Sequence, residues 1–428
     1  MKNLLIMHCF LAVLIFFMNM PKVSAENELE TAEIRLVCAI CSMGAYSDDE
    51  SYLMRSMLNE RGWTIEKITQ KNNRAYARAY LVSKNNIKVL AIAGTENLKD
   101  VEVNFRVGRV HLNDNFTLNP YEKNIRDKIF VHRGFRDYAD LVLSDGLAER
   151  LKNSVENNPN EIIYLTGHSL GGSVATIVAI RLADSGFSTK NLKVITFGAP
   201  AVGSRELAKN YSDKIELTRV VMRGDVVKKS LRALGYVQFG KTLEYRQNSS
   251  SEHMEHKMAV YLDCTIRDYL SSGGTLRYET QNKIATPIYV APIHLVKGDF
   301  HSDDEKIILN ALDDSLRNNF SNLTFAPVQS VKINEKKILD EDFDEFVAAS
   351  KNFGCKYVLI RILRAKKIRD AQSGEKFVTL EEIILDTNGV PLSMQTSGES
   401  TAELTIFEAA IAVQENLKDN IRNFLANN

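Results

Sequence analysis

Apolar positions along the chain change period several times, and the changes mark out the elements. Over 30–60 they recur at helical spacing. From Arg74 they crowd into short runs. Residues 75–82 and 87–93 read as strands, joined by Ser83-Lys84-Asn85-Asn86, a hairpin turn signal. The stretch 129–139 leads into a polar amphipathic helix over about 137–157. Residues 162–166 form a β-branched run of the kind found in a buried parallel strand, and a helix follows over 170–185. Two more strands are predicted at 192–197 and 217–222. Strands alternating with helices imply a mainly parallel sheet covered on both faces.

After about Gln281 the pattern shifts. A strand is predicted at 288–293. Ile307, Ile308, Leu312, Leu316 and Phe320 lie at helical spacing within 301–320. A helix at 343–353, strands at 356–363 and 377–385, and a long helix at 405–425 complete the series. The chain therefore divides into a leader (1–25), an α/β domain (26–285) and a smaller C-terminal α+β domain (286–428).

The leader stands apart in composition. Lys2 precedes a nearly unbroken apolar run over 4–20. Val23-Ser24-Ala25 then offers small residues for a signal peptidase. This reads as a cleaved export signal, with a mature chain starting near Glu26 that is secreted or periplasmic. Elsewhere the charge is balanced. Lys plus Arg and Asp plus Glu both number 54 in 428 residues, which gives no global pull toward nucleic acid. Export permits disulfides, and Cys38, Cys41, Cys264 and Cys355 remain after processing. Sequence does not choose among their three pairings. Cys38 and Cys41 have the spacing of a redox pair, but no thioredoxin-like βαβ pattern surrounds them. Buried thiols or one structural bridge is the expectation.

The chemistry concentrates at Gly167-His168-Ser169-Leu170-Gly171, a G-x-S-x-G motif between a predicted strand and a predicted helix. A serine hydroxyl is a weak nucleophile and must project to where a base reaches it, which a sharp strand-to-helix turn achieves. Gly167 and Gly171 allow the close backbone approach such a turn demands. The Leu170 N–H, at the helix N-terminus, is positioned to stabilise an oxyanion. On this fold the acid follows a later strand, and 217–222 ends just before Asp225. The base must come later still: His253, His256, His294 or His301. His253 and His256 are three residues apart, but no clustered Cys, Asp or further His completes a metal site.

Several separated patches carry a family resemblance. They are Ala93-Gly94-Thr95 with Asp100, Val131-His132-Arg133-Gly134-Phe135, the GHSLGG of 167–172, Phe197-Gly198-Ala199-Pro200-Ala201-Val202-Gly203, the segment 219–225, Gly235-Tyr236 with Phe239-Gly240, and His256 through Tyr261. In this order they resemble the class 3 lipases, the fungal-lipase-like group of the α/β-hydrolase fold, over roughly 74–265. The resemblance implies Ser169 as nucleophile, Asp225 as acid and His256 as base, the downstream tyrosine favouring His256 over His253. It implies Thr95 as a second oxyanion donor beside Leu170. His132 and His168 are expected to pack.

The sequence departs from the family at Ala93, where an arginine is common, at Val226-Val227-Lys228, where a proline is common, and at Gln238, in place of a histidine. None of these removes a reacting group. The implied activity is hydrolysis of carboxylic esters of lipids, acylglycerol or phospholipid, at a lipid–water interface, without metal or organic cofactor. The stretch 106–128, with Val107, Val110, Leu112, Phe116, Leu118 and Tyr121, reads equally as a lid or a surface loop. Two alternatives remain open: a serine peptidase or thioesterase using the same elbow, and a non-catalytic envelope binding protein on a hydrolase scaffold. The cluster Arg361, Arg364, Lys366, Lys367 and Arg369 reads as a basic surface strand end. Oligomeric state leaves no mark in the sequence.

Overall fold

The computed structural model describes residues 22–47, 52–72, 76–94, 108–112, 129–246, 255–278, 284–296, 300, 302–327, 336, 342–368 and 375–427. The apolar leader over 4–20 lies outside them, as does most of 106–128. Among the described residues no helix is long and apolar enough to cross a membrane.

The first unit starts with α1 (Lys22–Gly44) and the short α2 (Tyr52–Met57). Then come β1 (Thr64–Lys71), β2 (Tyr76–Lys84) and β3 (Ile87–Ile92). Lys84 pairs with Ile87, so the loop is the two residues Asn85-Asn86, and Asn85 takes φ +52°, a conformation asparagine tolerates. A two-stranded ribbon, β4 (Arg109–Val110) and β5 (Val131–His132), precedes α3 (Arg133–Val142) and α4 (Leu147–Asn157). The single helix expected over 137–157 is thus two. Asp145 and Gly146 both take positive φ, which ends one helix before the next begins.

There follow β6 (Ile162–His168), α5 (Leu170–Asp184), β7 (Leu192–Phe197), α6 (Arg205–Tyr211), β8 (Glu216–Met222), β9 (Lys241–Tyr245) and α7 (Met258–Ser271). The seven-stranded sheet has the order β1-β2-β3-β6-β7-β8-β9. It is antiparallel through β3 and parallel from β3 to β9. Strand periodicity sends Ile163, Leu165, Val194 and Leu217 to the face covered by α3, α4 and α5. Phe197, Val220 and Met222 go to the face covered by α1 and α7. A largely parallel sheet sandwiched by helices, with a sharp turn after its central strand, is the α/β-hydrolase fold.

The second unit comprises β10 (Ile284–Val290), β11 (His294–Leu295), α8 (Ser302–Asn319), β12 (Phe320–Phe325), α9 (Asp344–Asn352), β13 (Tyr357–Lys367), β14 (Lys376–Asp386), β15 (Pro391–Ser400) and α10 (Ile406–Asn427). Its main sheet path is β12-β10-β13-β14-β15. The helix over 301–320 stops one residue short of the expected end, because Phe320 opens β12. Leu363, Val378 and Leu380 of this sheet, Ile308 and Leu312 of α8 and Phe407 of α10 lie in one apolar cluster with Cys38, Phe197 and Tyr261 of the first unit. The two sheets therefore share a core.

All four cysteines after the leader are buried and unbridged. Burial pushes the Cys38 and Cys264 thiols up to about 12 and the Cys41 thiol upward as well, which leaves them inert thiols at neutral pH.

Candidate active site

The turn after β6 places Ser169. The β6 run is buried between β3 and β7 and ends against the N-terminus of α5. Ser169 itself sits at φ +54°, ψ −126°, a strained conformation for a residue with a Cβ. The strain persists because the turn is locked from both sides. The Ser169 N–H donates to the Phe197 carbonyl at 2.9 Å, and its own carbonyl accepts from Gly172 at 3.1 Å. A Cβ on Gly171 would lie 2.2 Å from the Ile92 carbonyl oxygen, and one on Gly167 2.5 Å from the Gly171 carbonyl carbon. Only glycine fits at either position.

Three side chains from three places in the sequence converge here. The Ser169 hydroxyl lies 2.9 Å from Nε2 of His256. Nδ1 of His256 lies 2.8 Å from Oδ2 of Asp225. A carboxylate only accepts, so Nδ1 carries the proton and Nε2 accepts the serine hydroxyl. Asp225 is fixed by two further donors: the Val227 N–H to Oδ1 at 2.8 Å and the Tyr261 hydroxyl to Oδ2 at 2.5 Å. Burial first, and the neighbouring Asp225 second, push the Tyr261 phenol well above its ordinary value, so it stays a neutral donor. Room for this cluster comes from Gly198, at φ +58°, where a Cβ would stand 2.9 Å from both Asp225 Oδ2 and the Tyr261 hydroxyl.

Behind the serine, His168 does more than pack. Its Nε2 lies 2.7 Å from the backbone carbonyl of His256, so Nε2 carries the proton. Its Nδ1 then accepts the Tyr46 hydroxyl at 2.6 Å. Tyr46 is held in turn by Arg78, whose guanidinium donates to the Ala45 and Tyr46 carbonyls at 2.9 and 2.7 Å. Burial pushes His168 well below 6.5 and keeps it neutral. The residue before Ser169 thus holds the backbone of the residue whose Nε2 accepts the Ser169 hydroxyl in a hydrogen bond. His132 caps α3, accepting the Phe135 N–H on Nδ1 at 3.4 Å, and burial lowers it to about 4.

Leu170 is the first residue of α5, where a backbone N–H has no intrahelical partner. Thr95 and His253 lie outside the described residues. Gln238, in place of the family's histidine, donates to the Ala199 carbonyl at 3.0 Å. The basic cluster expected as a strand-end surface is one only at its far end, where Lys366 and Lys367 are exposed, and Arg369 lies outside the described residues. Arg361 is 1% exposed and bonds Asp313, and Arg364 pairs with Glu381 at 2.9 Å. Arg361 is buried because both faces of β13 are covered over 357–363, so neither direction leads to solvent.

A hydroxyl bonded to an imidazole that is bonded to a buried carboxylate can transfer its proton while the oxygen attacks an electrophile. On an α/β-hydrolase fold, that arrangement sits where the strand-to-helix turn puts a nucleophile. The comparisons add a family likeness: residues 89–233 match the family model for lipase (class 3). A lipase of Caenorhabditis elegans is 41% identical over 76 residues, which are 17% of this chain and 22% of the relative. A secreted mono- and diacylglycerol lipase of Penicillium cyclopium is 35% identical over 112 residues, 26% of this chain and 36% of the relative. The matches thus span well under half the length of these relatives. The solved Lip2 lipase from Yarrowia lipolytica aligns over 53% of this chain and 83% of its own, with 21% identity and a TM-score of 0.42.

Proposed function

We propose that the protein is an exported serine hydrolase that cleaves carboxylic esters of lipids, with Ser169 as nucleophile, His256 as base and Asp225 as the acid that orients it. The observation that carries this reading is the continuous chain of hydrogen bonds from Ser169 through His256 to Asp225 at a strained strand-to-helix turn. His256 takes the serine proton as Ser169 attacks the ester carbonyl. Asp225 and the Tyr261 hydroxyl behind it hold the ring and stabilise its cation. The Leu170 N–H, with Thr95 as the second expected donor, holds the alkoxide, each such donor contributing about 2.7–4 kcal/mol in comparable sites. The imidazolium then protonates the leaving alcohol, and water releases the acid by the same steps. The similarity to secreted mono- and diacylglycerol lipases supports a lipid ester as substrate, and the apolar leader supports export.

The test is hydrolysis of nitrophenyl esters of graded chain length by protein starting at Glu26. The wild type should turn them over and Ser169→Ala should not, with rising rates toward longer chains marking a lipase. A folded wild type that is inert at every chain length, or a Ser169→Ala variant as active as wild type, would overturn the reading.

A further inference from the structure

A second site lies on the other side of β8, on the sheet face away from α1 and α7. A cavity of about 490 Å³ opens there beneath the loop that follows Asp225. Its floor is set by strand register. Arg219 and Val221 of β8 stand beside Thr242 and Glu244 of the edge strand β9. Its walls come from Ala201, Leu231, Tyr236 and Val237, and its rim from Arg205, Lys228, Lys229 and Arg232. Five cations thus face one carboxylate, Glu244, which already has Lys228 at 3.4 Å.

The interior is under-satisfied in one chemical sense. Arg219 gives one guanidinium nitrogen to the Thr242 hydroxyl at 3.1 Å, but its Nε is buried with no partner among the described residues. Burial lowers its pKa with no carboxylate opposing the shift. Tyr236 is 2% exposed, and its hydroxyl is likewise buried without a partner. Buried donors without acceptors cost roughly 1–3 kcal/mol each, so a pocket that keeps two of them, and adds cations, is built for an acceptor-rich anion. A planar guanidinium matches two oxygens of a tetrahedral anion, and the surrounding charge favours a dianion over a carboxylate. The apolar walls leave space for an organic group attached to it, within the ordinary size range of small-molecule sites.

We propose that this cavity binds a phosphate group, with the half-buried Arg219 as the anchor and Arg205, Lys229 and Arg232 as the cationic rim. The phosphate is either that of a lipid headgroup or that of a soluble phosphate ester. The site needs no assumption about Ser169 chemistry, so it is tested in full-length Ser169→Ala protein from Glu26, where turnover plays no part. Calorimetric titration with glycerol phosphate should show saturable one-to-one binding that weakens with salt. Arg219→Gln should weaken it by about tenfold or more and Arg232→Gln by about threefold, in keeping with charge-assisted hydrogen bonds lost at the centre and the rim. Arg232 is exposed, so its variant is expected to keep the fold and carries the test should Arg219→Gln unfold. Vesicles containing phosphatidic acid, whose headgroup is a phosphomonoester, that bind with the same sensitivity to both substitutions assign the headgroup as the source. Binding of glycerol phosphate without vesicle binding supports the site and assigns the soluble ester. Absence of glycerol phosphate binding, or equal binding by wild type and both variants, overturns the proposal.

Discussion

At the scale of single residues, Ser169 combines a reacting group with a costly backbone. A φ of +54° with a Cβ costs about 1–3 kcal/mol, and the locked turn sustains it. Two replacements separate the strain from the hydroxyl. Ser169→Ala removes the hydroxyl and keeps the Cβ, whereas Ser169→Gly removes both. Glycine relieves the strain but frees the unfolded chain by about 0.4–1 kcal/mol. We expect both variants to be inactive toward esters, with Ser169→Gly the more stable by about 1 kcal/mol. Urea denaturation measures the difference, and a Ser169→Gly midpoint below that of Ser169→Ala would show that the turn is unstrained. Ser169 and Asp225 were legible as candidates in local patterns, an elbow and the end of a strand, and His256 only through the family resemblance, whose downstream tyrosine set it apart from His253. Tyr46, Arg78 and Gly198 were not. Tyr46 meets its partner His168 at a separation of 122 residues, and the sequence around it reads only as the end of an apolar helix. Gly198 was visible as part of a patch, but its purpose, space for Asp225 and Tyr261, exists only in three dimensions.

At the scale of elements, the join of β6 to α5 is closely packed against backbone. The first turn of α5 lies against β3, where Gly171 faces the Ile92 carbonyl and the backbone of Ala93 and Gly94. A methyl group there meets backbone, which has no rotamer to change. Gly171→Ala should therefore cost roughly 3 kcal/mol or more and displace Ser169 from His256. The loss of ester hydrolysis should then exceed what the unfolded fraction alone accounts for. A variant with wild-type stability and rate would show that α5 is free to shift. The same join was the most legible part of the fold, because a β-branched run, glycines and a helix start follow one another in nine residues. The edge strands β1, β9 and β15 were missed. Most positions of Thr64–Lys71, Lys241–Tyr245 and Pro391–Ser400 remain at least partly exposed, so neither face is selected for apolar side chains and no two-residue period appears. Pairing to a neighbour, which sequence does not display, is what makes them strands.

At the scale of the molecule, the second unit is joined to the first through buried as well as charged contacts. Lys257, next to His256, donates to the Ala402 carbonyl at 2.5 Å. Arg267 of α7 bridges Asp263 and Asp304, and Lys418 of α10 reaches Glu60. Between the second sheet and α10 lies a buried polar cluster in which the Gln414 amide donates to Glu382 at 2.8 Å, with Arg361 adjacent. Burial lifts the Glu382 carboxyl from its ordinary 4.5 to about 7, outweighing the Gln414 bond and the Arg361 charge. The sign of the consequence follows from linkage. The unfolded chain releases this proton near pH 4.5, but the folded chain holds it until about pH 7. The contribution is therefore fully kept below pH 4.5, declines as pH rises through that window and is lost above it, a change of roughly 3 kcal/mol. Glu382→Gln keeps an acceptor for Gln414 and removes the titration. Relative to wild type, it should gain stability between pH 4.5 and 7 and hold a constant advantage at higher pH, as read by urea denaturation at pH 4.5, 6 and 8. A difference that does not change with pH would mean that Glu382 is ionised in the folded protein and paired with Arg361. Because the apolar cluster continues from this unit into the core behind Phe197 and Tyr261, the same series followed by ester hydrolysis tests whether the two units unfold together. Activity should be lost at the urea concentration where the second sheet melts, since α8 and α10 cover the helices that hold the Asp225 and His256 side of the site.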